Sequence, residues 1–308
     1  MRTLRAVLRM GGFMFASRVS AFLAVSLLGL FSWASPVYAE SAMSAGVEDG
    51  ELAEAVEGPY TGPKIVINVA ARKLKLFDNN ELIKTYSIAV GSSVYRTPLG
   101  DRSMTQIVWN PWWIPPKDSA WAKGAKDTPP GRNNPLGPVK MKLGDAIMIH
   151  GTNKPASVGF AASHGCMRMN NEEAKELARY IQEHVMMQTD PALYDNYNKH
   201  AGRSFYVNLS ESVPISITYD VAEIEGGELK VYQDIYWRVR DKKAYVEALL
   251  TSNGHKIEKY DLAYLEAAIK SAKNRQDLTF PLNELLLAYR TKSLKMAQAD
   301  QIKSSVAN

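Results

Sequence analysis

Between Trp109 and Pro138 the chain carries prolines at positions 111, 115, 116, 129, 130, 135 and 138, interspersed with Trp109, Trp112, Trp113, Trp121 and several glycines. Proline has no amide hydrogen and a locked φ, so a stretch this rich in it excludes a helix interior or a central strand. The segment is expected to be a long ordered loop, of the kind usually kept for function. Its tryptophans have two readings: plugs of a core beneath the loop, or walls of a binding surface.

The flanking sequence reads as the scaffold that holds such a loop. Ile65 to Val69 is β-branched and nearly continuous, as a buried strand should be. Leu74 and Leu76 alternate with Lys73 and Lys75, Asp78-Asn79-Asn80 makes a turn, and Leu82 to Val90 returns, which predicts a hairpin. Ala146 to Ile149 reads as a buried strand ending at His150. From Asn170, an N-cap residue, the spacing of Ala174, Leu177, Ile181 and Val185 predicts a helix. Strand texture resumes over 205–240, and beyond Asp241 the chain is rich in Ala, Leu and Lys with helical periodicity. The architecture is expected to be mostly β with helices added.

The front of the chain reads as an address. Arg2, Arg5, Arg9 and Arg18 precede or border the apolar run Val19 to Trp33, which ends in Val37-Tyr38-Ala39. That is the pattern of a secretory signal peptide, with cleavage expected after Ala39 and an exported protein as the product. A retained membrane anchor is the alternative, although about 15 apolar residues is short for a span of roughly 20. Residues 40–62 are expected to be a flexible acidic lead-in, 63–241 the main folded domain and 242–308 a helical extension. The four arginines have no acidic counterpart in 1–39, so they account for four of the formal charge of +5 and leave +1 for the rest. The charge therefore gives no support to nucleic acid as a partner.

With one cysteine, the chain has neither an internal disulfide framework nor a Cys-rich zinc module. That cysteine, Cys166, lies in His164-Gly165-Cys166-Met167-Arg168, and His150 lies sixteen residues before it. A free thiol is only a few per cent ionised at neutral pH, so a cysteine nucleophile needs a neighbouring base, which either histidine could be. The helix beginning near Asn171 would further favour thiolate if the sulfur faced its first turn. Glycine at 165 lets a carbonyl approach, and the Gly165 and Cys166 amides are candidate oxyanion donors. Arg168 offers a planar fork suited to a carboxylate. Taken one at a time, these residues also have plainer readings. A lone cysteine is often a small buried hydrophobe, Arg168 could pair with Glu172 or Glu173, and two histidines with a cysteine could hold a metal.

Ser163-His164-Gly165-Cys166-Met167-Arg168-Met169, with Ile149-His150-Gly151-Thr152 upstream, resembles the signature of the L,D-transpeptidase (YkuD-type) catalytic domain. The similarity runs from about Lys64 to Tyr219 and includes Asn110 to Pro116 and Asn133 to Gly137. The resemblance implies a β-sandwich or barrel-like catalytic fold with a helix after the nucleophile, here followed by an α-helical C-terminal extension. It implies Cys166 as nucleophile, His150 as its base, and His164 as support beside the thiol. Ser163, Gly151 and Gly165 would shape the site, and Arg168, Trp112 and Trp113 would contact substrate.

The implied substrates are peptidoglycan stem peptides. Cys166 would attack the bond between the third-position diamino acid and D-Ala, and an amine acceptor would then take the acyl group. That acceptor is a second stem, a lipoprotein lysine, or water in an L,D-carboxypeptidase. No cofactor or metal is required for this chemistry. The C-terminal helices could pack on the domain or meet a wall-synthesis partner. A catalytically silent wall-binding scaffold and a thiol redox sensor are the readings outside this enzyme class.

Overall fold

The computed structural model describes residues 61–306; the expected export signal, 1–39, and the lead-in up to residue 60 lie outside the described residues. The expected strand at Ile65 forms as β1 (Lys64–Asn68), and the expected hairpin forms beside it from β2 (Lys73–Asp78) and β3 (Glu81–Ser87), the returning strand ending at Ser87 instead of Val90. The hairpin's lysines face outward while Leu74 and Leu76 are fully buried, because successive strand residues point to opposite faces. The chain then makes the two-residue β4 (Val90–Gly91) and the long β5 (Gly100–Trp109). After the proline loop come β6 (Val139–Lys142), β7 (Met148–His150), β8 (Ala161–Ser163) and β9 (Met167–Arg168).

Helix α1 (Asn171–Met186) follows, capped as expected by the Asn170 side chain, which accepts from the Glu172 amide. Next are α2 (Pro191–Lys199) and the fourteen-residue β10 (Phe205–Thr218). Eight strands form one sheet in the order β3-β2-β1-β10-β5-β6-β7-β9, and β4 pairs with β8 in a separate ribbon. The molecule is thus mostly sheet, with a helix directly after the cysteine.

Helix α1 lies against β6, β7 and β10. Its apolar stripe, Ala174, Leu177, Ala178 and Ile181, is buried with Ile65, Ile67, Ile107, Met141, Ile149, Met167 and Ile215 of the sheet. Each large aliphatic side chain buried this way is worth roughly 1.5–3 kcal/mol over an exposed one. This core backs the sheet edge that carries β7 and β9, and so fixes where His150 and Arg168 stand. β7 is shorter than expected at its start. Asp145 and Ala146 adopt φ of 46° and 59° in the β6–β7 turn, so Ala146 lies outside the strand and exposed.

The remaining chain builds a second, smaller core. β11 (Ala222–Glu225) and β12 (Glu228–Val231) pair through the Gly226-Gly227 turn. α3 (Lys242–Ser252) and α4 (Leu262–Ala272) follow, then β13 (Leu278–Pro281) and α5 (Leu287–Val306). β13 adds to β12, a strand not anticipated in a tail whose composition looked purely helical. Ala222, Leu229, Val231, Val246, Leu250, Leu265, Phe280 and Leu285 form one buried cluster. Asp241, expected to mark a boundary, caps α3 within this unit by accepting from the Ala244 amide.

Candidate active site

The order β6-β7-β9 at one end of the sheet sets three basic side chains in a row. Lys140 is in register with His150 across β6 and β7, and His150 is in register with Arg168 across β7 and β9. Residues directly opposite on neighbouring strands share a face, about 4.8 Å apart per strand. Cys166 immediately precedes β9. All four residues line one groove of about 410 Å³, together with Trp113, Trp121, Ile147, Ser163 and His164.

His150 is buried, and its Nδ1 lies 2.5 Å from the Gly151 carbonyl oxygen. A carbonyl can only accept, so Nδ1 carries the hydrogen and Nε2 keeps its lone pair. Burial pushes its pKa down to about 4; the Gly151 bond opposes this, and Arg168 and Lys140 on either side reinforce it. The imidazole is therefore neutral at pH 7 and able to accept a proton. Gly151 cannot be larger, because a Cβ there would sit 2.4 Å from Asn171 Oδ1 and 2.8 Å from Pro138. Asn171 Oδ1 also accepts from the Thr152 amide at 2.7 Å. The first residue of α1 thereby holds the peptide whose carbonyl orients the His150 imidazole.

The cysteine departs from expectation in two ways. Its sulfur points to the β6–β7 turn, donating to the Ala146 carbonyl at 3.5 Å. Burial, the largest influence, pushes the thiol up, against a backbone hydrogen bond from Met148 and the Arg168 charge. Thiol and imidazole are thus both neutral at rest. The second departure is that the Gly165 amide, an expected oxyanion donor, donates to Ser163 Oγ at 3.1 Å. The Cys166 amide remains the candidate. Ser163 Oγ in turn donates to the Cys166 carbonyl at 2.6 Å, so this serine acts as a brace across the nucleophile turn. Gly165 is needed for its φ of 116°, a conformation L side chains rarely adopt, since a Cβ there would meet only ordinary contacts at 3.7 Å.

His164 is exposed, with Trp121 stacked on it at 4.1 Å and Tyr95 tilted against it at 4.7 Å. It is part of an aromatic wall, and its pKa is lowered by partial burial, Arg168 and Lys154. Arg168 Nη1 donates to the Ala162 carbonyl at 3.2 Å. Neither Glu172 nor Glu173 pairs with it; Glu172 pairs with Lys175 at 2.6 Å, and among the described residues Arg168 has no carboxylate partner.

The tryptophans divide by role. Trp109 is core, donating to Gln182 at 2.9 Å and stacked on Tyr197. Trp113 and Trp121 line the groove, whereas Trp112, expected to contact substrate, is 45% exposed and outside the lining. Asn134 holds the loop in place. Fully buried, it donates to the carbonyls of Pro111, Thr128 and Pro129 and accepts from the Leu136 amide.

One clamp on the nucleophile turn had no sequence signal. Thr97 Oγ1 donates to the Gly165 carbonyl at 2.9 Å and accepts from the Gly91 amide at 2.8 Å. Tyr236, almost fully buried, accepts from the Thr97 amide at 2.9 Å and donates to the Gly91 carbonyl at 2.7 Å. Asp234 holds Tyr236 in turn, by accepting from Tyr219 Oη and the Arg238 and Val239 amides. Tyr236→Phe leaves two buried backbone groups without a partner, at a cost of about 1–3 kcal/mol. The expected outcome is a lower melting temperature together with slower acylation of Cys166 at temperatures where the variant is fully folded. Wild-type acylation in a destabilised variant would restrict Tyr236 to a packing role.

The family model for the L,D-transpeptidase catalytic domain, YkuD, matches residues 62–207. The YkuD protein of Bacillus subtilis (strain 168) is 34% identical over 154 residues, covering 49% of this chain and 81% of that protein. The chain belongs to the L,D-transpeptidase (YkuD-type) family. The YbiS protein of Escherichia coli (strain K12) is 28% identical over 182 residues, 53% of this chain and 60% of its own length. A solved L,D-transpeptidase from Mycobacterium smegmatis matches at 14% identity and a TM-score of 0.32, covering 51% of this chain and 58% of that one. The match of this chain to the family model ends within β10, so Tyr236 and the second core lie beyond it.

Proposed function

We propose that this chain is an exported peptidoglycan L,D-transpeptidase with Cys166 as nucleophile and His150 as its base. The observation that carries the reading is the Nδ1–H tautomer of His150, which leaves Nε2 as an acceptor on a residue that lines one groove with Cys166. The Cys166 sulfur attacks the carbonyl carbon between the third-position diamino acid and D-Ala as its proton passes to Nε2. The C–N bond breaks, the imidazolium returns the proton to the leaving amine of D-Ala, and a thioester remains. The amine of a second stem then attacks the thioester and gives its proton to His150. The C–S bond breaks, the thiol is restored, and a 3→3 cross-link has formed. Arg168 holds a substrate carboxylate, and the Cys166 amide faces the developing oxyanion. Export rests on the Arg-led apolar run ending at Ala39.

Incubation of the protein with disaccharide-tetrapeptide is expected to yield a dimer that has lost one D-Ala, read by mass spectrometry. A carbapenem is expected to leave a covalent adduct on the peptide containing Cys166. Release of D-Ala without dimer would make water the acceptor and the enzyme a carboxypeptidase. The absence of both D-Ala release and adduct would remove the enzymatic reading.

A further inference from the structure

Lys140 is half-buried, lines the groove and has no hydrogen-bond or ion-pair partner among the described residues. The groove's one carboxylate, Asp145, is paired with Arg102 at 3.1 Å. Lys142, two residues along β6, adds a like charge, and Arg168 on the other side of His150 adds another that no carboxylate answers. The groove therefore holds two uncompensated cations, one on each flank of the base, two strand spacings or roughly 10 Å apart at the backbone. An amine kept in such a place is costly unless an anion completes it. β6 would be as well formed with an apolar residue there, since its neighbours Val139 and Met141 already supply the core.

We infer that Lys140 is a second carboxylate anchor of the donor site, selecting stems that carry a free carboxylate on the third residue as well as the one on the terminal D-alanine. The inference rests on the transpeptidase reading above and assigns the specificity of that same groove. With the scissile carbonyl over Cys166 and His150, Arg168 and Lys140 reach to opposite sides of it, one for each anion. Docking a carboxylate on Lys140 also quenches one of the two charges that weaken His150 as a base, so the correct donor strengthens the group that will take the thiol proton.

The test uses the full chain and two disaccharide-tetrapeptides, one with the third-residue carboxylate free and one with it amidated. Release of D-Ala is followed as kcat/KM. Wild type is expected to prefer the free acid by about tenfold, the scale of one charge-assisted hydrogen bond. Lys140→Met is expected to bring that ratio close to one, chiefly through KM for the acid, and Lys140→Arg to retain most of it. Thermal melts establish that each variant is folded. Equal use of both donors by wild type, or an unchanged ratio in folded Lys140→Met, would overturn the assignment of Lys140 alone. Release of D-Ala from neither donor by wild type would overturn the transpeptidase reading and this inference with it.

Discussion

Cys166→Ala is expected to abolish both dimer formation and carbapenem labelling, a loss on the order of 10⁵–10⁶ in rate, because Cys166 is the only thiol lining the groove and the Ser163 hydroxyl there is engaged with the Cys166 carbonyl. The same change should leave the fold nearly untouched. The thiol is neutral at rest and only partly buried, held by a long hydrogen bond to the Ala146 carbonyl and one from the Met148 backbone. The melting temperature should move by no more than about 1 kcal/mol of stability would produce. Activity and stability thus separate cleanly at this residue. Dimer formation at the wild-type rate by folded Cys166→Ala would move the chemistry to another residue.

His150→Gln should slow acylation of Cys166 by about 10²–10⁴, the usual worth of a positioned base, and should also alter the response to acid. With the thiol pushed up and the imidazole at about 4, neither group changes protonation between pH 5 and 8. Acylation by wild type should therefore stay flat across that range and fall only near pH 4, with no break at the 6.5 of a free histidine. Stability has its own signature. Above pH 6.5 the imidazole is neutral in both folded and unfolded chains, and its contribution is complete. As the pH falls towards 4 the unfolded chain binds the proton first, so wild type loses stability, by about 3 kcal/mol over the interval. His150→Gln lacks that titration and should lose less. Parallel melting curves for the two proteins from pH 7 to 4.5, or an acylation profile breaking near 6.5, would show that His150 is not the neutral buried base described.

The part of the site that the sequence makes legible is the part whose chemistry is local. Cys166 is the sole cysteine, His150 and His164 are near it in the chain, and a helix cap at Asn170 follows directly. Short-range patterns also identified the β2–β3 hairpin and α1, because period-two and helical burial depend on neighbours a few residues away. Long-range partners were beyond reach. Nothing adjacent to Lys140 or Tyr236 announces a role, since one reaches the site through strand register and the other through the packing of a segment past the family match.

The sequence alone determined that one thiol, two imidazoles and a guanidinium would be available within a mostly β chain carrying a proline-rich loop. Tertiary structure decided which of them could act as what. It buried His150 between two cations and so kept its imidazole neutral, and it stacked His164 on Trp121 in an aromatic wall. It also engaged the Gly165 amide with Ser163 and raised the thiol that local sequence suggested would be ionised. The reason is physical: protonation and hydrogen-bond supply are set by desolvation and by charges brought together through space, and strand order supplies both without leaving a pattern in the adjacent residues.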